Sequence, residues 1–262
     1  MPFAAVNGQR IAYDDSGGRG PAVVLGHGFL MDRSMFVHQV EALSRDYRVV
    51  TWDARGFGDT VWDERPFTYW DLADDCIALL DHLELERPVI GGMSQGGYLS
   101  LRAALRHPDR VRALVLLSTG AEIEDAAVIE GYRAMVDVWT TAGPVDDLAN
   151  TVAAIIINDP DENQRWIAKW RATRYELLRE PAECLFGRDD ISDRLGEITC
   201  PALVVHGTAD TAIAPDVAER LAKGLPAASG PVFVDGAAHA ANLTYPQPVN
   251  EAIRSFLATL PA

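Results

Sequence analysis

Ser94 stands in Gly92-Met93-Ser94-Gln95-Gly96, a G-x-S-x-G segment in which an apolar run ends at Met93 and a helical pattern begins at Gln95. A strand-to-helix turn this sharp crowds its flanking backbones. Residues without Cβ let the serine take a strained backbone with its hydroxyl projecting outward. That hydroxyl is a weak nucleophile until a base removes its proton. Among the six histidines, His239 is the candidate base, because it lies in a loop after the apolar run ending at Val234 and before a C-terminal helical pattern. His27 ends an earlier run beside Gly28. His206 closes the run Ala202–Val205 as a packed or hydrogen-bonded residue, and His38, His82 and His107 fall at solvated helical positions. Asp210, after the strand preceding that of His239, is the candidate to orient the imidazole; Glu122 and Asp125, after the run ending at Ser118, are its rivals. Two backbone N–H groups are the candidate oxyanion donors. One is that of Gln95, at a helix N-terminus, and the other that of Phe29 in His27-Gly28-Phe29. The chemistry this set could perform is acyl transfer.

The elements that must position these residues alternate. Strands are expected at Arg10–Tyr13, Ala22–Leu25, Tyr47–Trp52, Pro88–Met93 and Val111–Ser118, with helices from Ser34, Thr68 and Gln95 between them. After Cys200 the alternation returns, with strands at Ala202–His206 and Pro231–Val234 and helices at Pro215–Lys223 and Pro248–Leu257. Strands separated by ten- to fifteen-residue helices predict an α/β fold, a mainly parallel sheet with helices on both faces. Residues 121–190 interrupt this pattern with helical stretches alone, at Asp125–Thr141, Val145–Ile157 and Glu162–Arg179. The expected organisation is therefore one core, 1–120 with 191–262, and a helical cap insertion, 121–190, placed before the last two strands.

Composition excludes other classes. With 23 Lys plus Arg against 38 Asp plus Glu, the chain carries a formal charge of −15, which argues against nucleic-acid and anionic-membrane partners. Three scattered cysteines with no metal-ligand spacing imply free thiols and no metal site. No apolar run approaches membrane-spanning length and the first ten residues carry no signal-peptide pattern, so a soluble, cytoplasmic protein is expected. Gly92, Gly96 and Gly97 have the wrong spacing for a dinucleotide loop, and no cofactor is implied.

Taken together, these motifs resemble the α/β-hydrolase-fold serine hydrolases along essentially the whole chain. The segments that carry the likeness are His27-Gly28-Phe29, Asp53-Ala54-Arg55-Gly56-Phe57-Gly58, the turn at Ser94, Gly207-Thr208-Ala209-Asp210, and His239. The resemblance implies that Asp53 and Arg55 support the site without reacting. His239-Ala240-Ala241-Asn242-Leu243 is similar to the endings of the cofactor-free haloperoxidase-like and enol-lactonase-like members of the esterase and lactonase branch. Asp59-Thr60 after Gly58, Ala238 before His239 and Thr244 depart from common family patterns and bear on subfamily placement. Members acting on epoxides or haloalkanes carry Asp where this chain has Ser94.

The function these residues imply is hydrolysis of a small-molecule carboxylic ester or lactone through Ser94, His239 and Asp210. Two alternatives stand beside it: the same triad used for C–C bond hydrolysis or cofactor-free perhydrolysis, and a small-molecule receptor on this fold. Trp139, Trp166 and Trp170 in the cap are candidate pocket residues, which suggests an apolar substrate. Residues 121–190 hold 15 acidic and 7 basic side chains. That surplus over the site predicts a preference for neutral substrates.

Overall fold

A computed structural model describes residues 2–261. Eight strands form one sheet: β1 (Phe3–Val6), β2 (Gln9–Asp15), β3 (Ala22–Gly26), β4 (Arg48–Trp52), β5 (Val89–Met93), β6 (Ala113–Leu117), β7 (Ala202–Gly207) and β8 (Ala228–Val234). Their spatial order is β1-β2-β4-β3-β5-β6-β7-β8. The β1–β2 and β2–β4 pairs are antiparallel, and every other pair is parallel. Strands β5, β6 and β7 are buried along their whole length, as a parallel sheet covered on both faces requires.

Before β6 the helices are α1 (Val37–Leu43), α2 (Tyr69–His82) and α3 (Gln95–Arg106). The start of α2 is written in the sequence: Thr68 accepts from the Asp71 N–H while the Asp71 side chain accepts from the Thr68 N–H. Such a reciprocal cap contributes about 1 kcal/mol. The segment before α1 differs from expectation. Asp32, rather than Ser34, caps a 3-10 turn over Arg33–Phe36, and its carboxylate accepts from the Ser34 N–H. A carboxylate two residues upstream reaches the first free N–H better than the hydroxyl that sits inside the turn.

Between β6 and β7 the chain forms only helices: α4 (Ala126–Ala142), α5 (Asp146–Ile156), α6 (Pro160–Ala172) and α7 (Arg179–Phe186). The expected single helix over 162–179 is broken. Thr173 is extended and its hydroxyl bonds back to the Trp170 carbonyl, so α6 stops and a 3-10 turn at Tyr175–Leu178 leads into α7. After β7 come α8 (Pro215–Gly224), α9 (Ala241–Thr244) and α10 (Pro246–Thr259). Among the described residues, no helix is long and apolar enough to cross a membrane.

Candidate active site

Ser94 occupies the turn between β5 and α3 with φ 50° and ψ −107°. Its N–H donates to the Leu117 carbonyl at 2.8 Å, and its carbonyl accepts from Gly97 N–H, Tyr98 N–H and the Thr119 hydroxyl. These bonds hold a backbone that a free chain would leave. The glycines serve close approach: a Cβ at Gly92 or Gly96 would collide with the Gly26 carbonyl of the neighbouring strand β3.

His239 and Asp210 come from the loops after β8 and β7. His239 Nδ1 lies 2.7 Å from Asp210 Oδ2, and both residues are at least nine-tenths buried. The other oxygen of Asp210 accepts from the Ala212 and Ile213 N–H groups, each at 2.9 Å. Burial pushes this carboxyl up. The charge of His239 and hydrogen bonds from His206, His239 and the Ile213 N–H outweigh that and hold it well below the usual carboxylate range. The rival acids are placed elsewhere: Glu122 is bound by the Arg220 guanidinium at 2.8 Å, and Asp125 precedes α4.

His206 is a partner that the sequence did not reveal. Its Nε2 sits 3.1 Å from the Asp210 oxygen that faces His239, and 2.9 Å from the Ile213 carbonyl. The four-residue spacing from His206 to Asp210 across Gly207 was the only signal available. His27 also has a definite place. Its Nε2 accepts from the Ala54 N–H at 3.0 Å, so its Nδ1 carries the proton and donates to the Gly28 carbonyl at 2.8 Å. That carbonyl shares a peptide with the Phe29 N–H, so His27 fixes the direction of the candidate oxyanion donor. Burial lowers the His27 pKa, in keeping with a neutral imidazole.

Asp53 and Arg55 lie behind this wall. Asp53 is fully buried, accepts from the Arg33 and Asp59 N–H groups, and pairs with the Arg33 guanidinium. Arg55 grips Asp75 at 2.6 and 2.8 Å. These pairs brace the β4 end and the loop beyond it.

Ser94, His239 and Phe29 line one cavity of about 120 Å³ with Leu30, Met135, Ile156 and other apolar side chains. Its wall joins the core to residues from α4, α5 and α7. The Ile156 carbonyl accepts from Ala240 N–H at 2.7 Å, and Leu30 O accepts from Trp170 Nε1 at 2.6 Å. The side chain of Gln95 turns away toward the Tyr69 hydroxyl. The three tryptophans do not line this cavity. Trp139, Trp166 and Trp170 are buried around a second, more polar cavity, with Leu30 common to both. The i,i+4 pair Trp166 and Trp170 faces that side because α6 turns its apolar stripe toward the Leu30–Ser34 loop. Of the fifteen acidic residues in 121–190, Glu124 alone lines the Ser94 cavity, and Arg188 lines it as well. Arg188 drew no attention in the sequence, because a single arginine after a helix carries no pattern.

The sheet order, the turn at Ser94 and the position of the loops after β7 and β8 are those of a hydrolase fold, and the comparisons agree. Residues 21–246 match the family model of the alpha/beta hydrolase fold, and the chain belongs to that family. It is 31% identical over 90% of its length to a protein of Rhizobium rhizogenes assigned as the carbamate hydrolase RutD, covering 92% of that relative. Among solved structures, it superposes on a thermophilic esterase from Thermogutta terrifontis with a TM-score of 0.90 at 28% identity, covering 100% and 98% of the two chains. The enol-lactonase from Burkholderia xenovorans LB400 gives 0.89 at 29% identity, over 98% of this chain and 100% of that one.

Proposed function

We propose that this chain hydrolyses a short carboxylic ester or lactone with Ser94 as nucleophile, His239 as base and Asp210 as the group that orients it. The observation that carries this reading is the 2.7 Å contact between His239 and Asp210 at the wall of the cavity into which Ser94 also opens. With its Nδ1 proton held by Asp210, His239 presents the unprotonated Nε2 to Ser94 Oγ. Oγ attacks the carbonyl carbon as its proton passes to Nε2. The carbonyl oxygen becomes an oxyanion facing the Phe29 and Gln95 N–H groups. Collapse breaks the bond to the leaving oxygen, which takes the proton from Nε2. Water, deprotonated by the same nitrogen, then attacks the acyl-enzyme and releases the acid while Ser94 recovers its proton.

The esterase and enol-lactonase among the similar structures support both halves of the substrate class. A cavity of about 120 Å³ is small beside the roughly 300–1,000 Å³ of sites for drug-sized ligands, which favours a short acyl part. On this reading the helices of 121–190 act as a cap whose α4, α5 and α7 close the acyl pocket. The preference for a neutral substrate expected from their acidic surplus finds no support in the pocket wall, since that surplus faces elsewhere. The test is Ser94→Ala. Hydrolysis of p-nitrophenyl acetate and butyrate should fall to background, and a fluorophosphonate probe should add its mass to Ser94 in the parent protein alone. Retained hydrolysis in the alanine variant would overturn the assignment.

A further inference from the structure

A buried cation in a largely apolar wall needs compensation, and this chain shows what full compensation looks like. Arg102 is 1% exposed, and its guanidinium donates to the Asp189 carboxylate at 2.8 and 3.1 Å, to the Asp189 carbonyl at 2.6 Å and to the Tyr98 carbonyl at 3.1 Å. The Arg188 side chain is 5% exposed and is provided for far less well. Its Nη1 donates to the Leu185 carbonyl at 2.8 Å, its Nη2 stands 3.7 Å from Glu124, and its buried Nε has no partner. The guanidinium carbon lies 4.7 Å from the centre of the Tyr98 ring, which fixes its plane without supplying an acceptor. At 3.7 Å the Glu124 contact is an ion pair without a hydrogen bond, so the buried Nε–H goes unanswered and the charge is only loosely paired.

The position of this group makes it more than a defect. Arg188 lines the cavity that holds Ser94 and His239. Tyr98, on which it rests, lies one helical turn beyond Ser94, and its N–H donates to the Ser94 carbonyl at 3.0 Å. The guanidinium thus lies over a ring of the helix that Ser94 caps, in the wall of the same cavity. Apolar side chains such as Met135, Ile156 and Leu185 fill the rest of the wall and keep the local dielectric low.

We propose that Arg188 is the anchor for a carboxylate on the acyl part of the substrate, so that the preferred ester or lactone is anionic, a short dicarboxylic half-ester or its lactone equivalent. The planar guanidinium suits a carboxylate in a two-oxygen contact. Glu124 holds the guanidinium loosely and gives way to a closer carboxylate when substrate enters. This inference rests on the hydrolase reading of the Ser94 cavity.

The experiment pairs monomethyl glutarate with dimethyl glutarate, which differ in the free carboxylate. In the parent protein kcat/KM for the half-ester should exceed that for the diester. Arg188→Gln should lower this ratio ten-fold or more, chiefly through KM for the half-ester. Glu124→Gln should raise it several-fold, and this variant leaves the buried arginine in place if Arg188→Gln does not fold. Glutarate itself serves as a readout independent of turnover: it should raise Tm of the parent protein and less so that of Arg188→Gln. An unchanged ratio in both variants, or no stabilisation by glutarate, overturns the proposal. If Ser94→Ala abolishes hydrolysis while the ratio stays unchanged, the hydrolase reading stands and the carboxylate anchor falls. If neither ester is turned over but glutarate stabilisation depends on Arg188, the anchor stands and the hydrolase reading falls.

Discussion

His206 and Asp210 meet at 3.1 Å beneath the candidate active site, with Nε2 of the imidazole directed at the same carboxylate oxygen that faces His239. Asp210 therefore carries a second buried imidazole on its far side, while its other oxygen is tied to two backbone N–H groups. The carboxylate is held from three directions, and its one remaining task is to hold His239. Replacing His206 with Phe removes the donor that lies between Asp210 and the Ile213 carbonyl. That leaves buried acceptors short of a partner, at a cost of about 1–3 kcal/mol. We expect a lower Tm and a fall of roughly ten-fold or less in kcat, with KM little altered. A loss in kcat as large as that of an Asp210 variant would make His206 part of the proton-handling machinery.

Asp210→Asn keeps the shape of the side chain but favours the wrong imidazole tautomer. A fall in kcat of about 10⁴ is expected for such a change. Glu122→Gln should leave ester hydrolysis within a factor of about two, because Glu122 is engaged by Arg220 at the surface. Initial rates on p-nitrophenyl acetate compare the two directly. The reverse ranking would move the acid to the loop after β6.

Gly96 lies where α3 presses on β3, and an added Cβ would meet the Gly26 carbonyl, which belongs to a sheet and cannot retreat. Gly96→Ala should therefore destabilise by about 1–3 kcal/mol or more, as overpacking does, against the gain in helix propensity that alanine brings on an open helix. Urea denaturation measures it. Gly131, on α4 with open space around it, is the control, and Gly131→Ala should be neutral or stabilising.

Acid stability follows from the direction of the Asp210 shift. Its folded pKa lies below the ordinary value of 3.8, with burial opposing and the two histidines and backbone donors prevailing. A carboxyl depressed on folding contributes stability above its unfolded pKa and loses it as pH falls toward the folded one. Asp32 adds the same sign: burial raises it, but Lys169 and Ser34 lower it further. The Tm advantage of the parent protein over Asp210→Asn should thus be full near neutrality and narrow as pH drops below about 4. Thermal melts across pH 7 to 3 test this, and a gap that widens on acidification contradicts it.

Much of the core was legible in the chain because its signals are local. The Gly92–Gly96 segment between an apolar strand and a helix marks the turn, and Thr68 marks the start of α2. The helical run 121–190 without strands was legible too, though not its break at Thr173, where a side chain bonding back to Trp170 ends α6. The tryptophans read as pocket residues were assigned by their type and spacing, yet helix rotation carried them to the neighbouring cavity. Periodicity says that a stripe is buried but not against which surface.

By itself, then, the sequence determined the alternation of strands and helices and the order Ser94, Asp210, His239, since each depends on residues near one another along the chain. Only the tertiary structure decided that His206 backs Asp210, that His27 aims the Phe29 peptide, and that Arg188 stands in the pocket with one N–H unanswered. Those relations join residues whose nearness is created by the sheet order and by helices folding over the strand ends. The field in a pocket is set by the few charges that line it, and a net charge summed along the chain does not identify them.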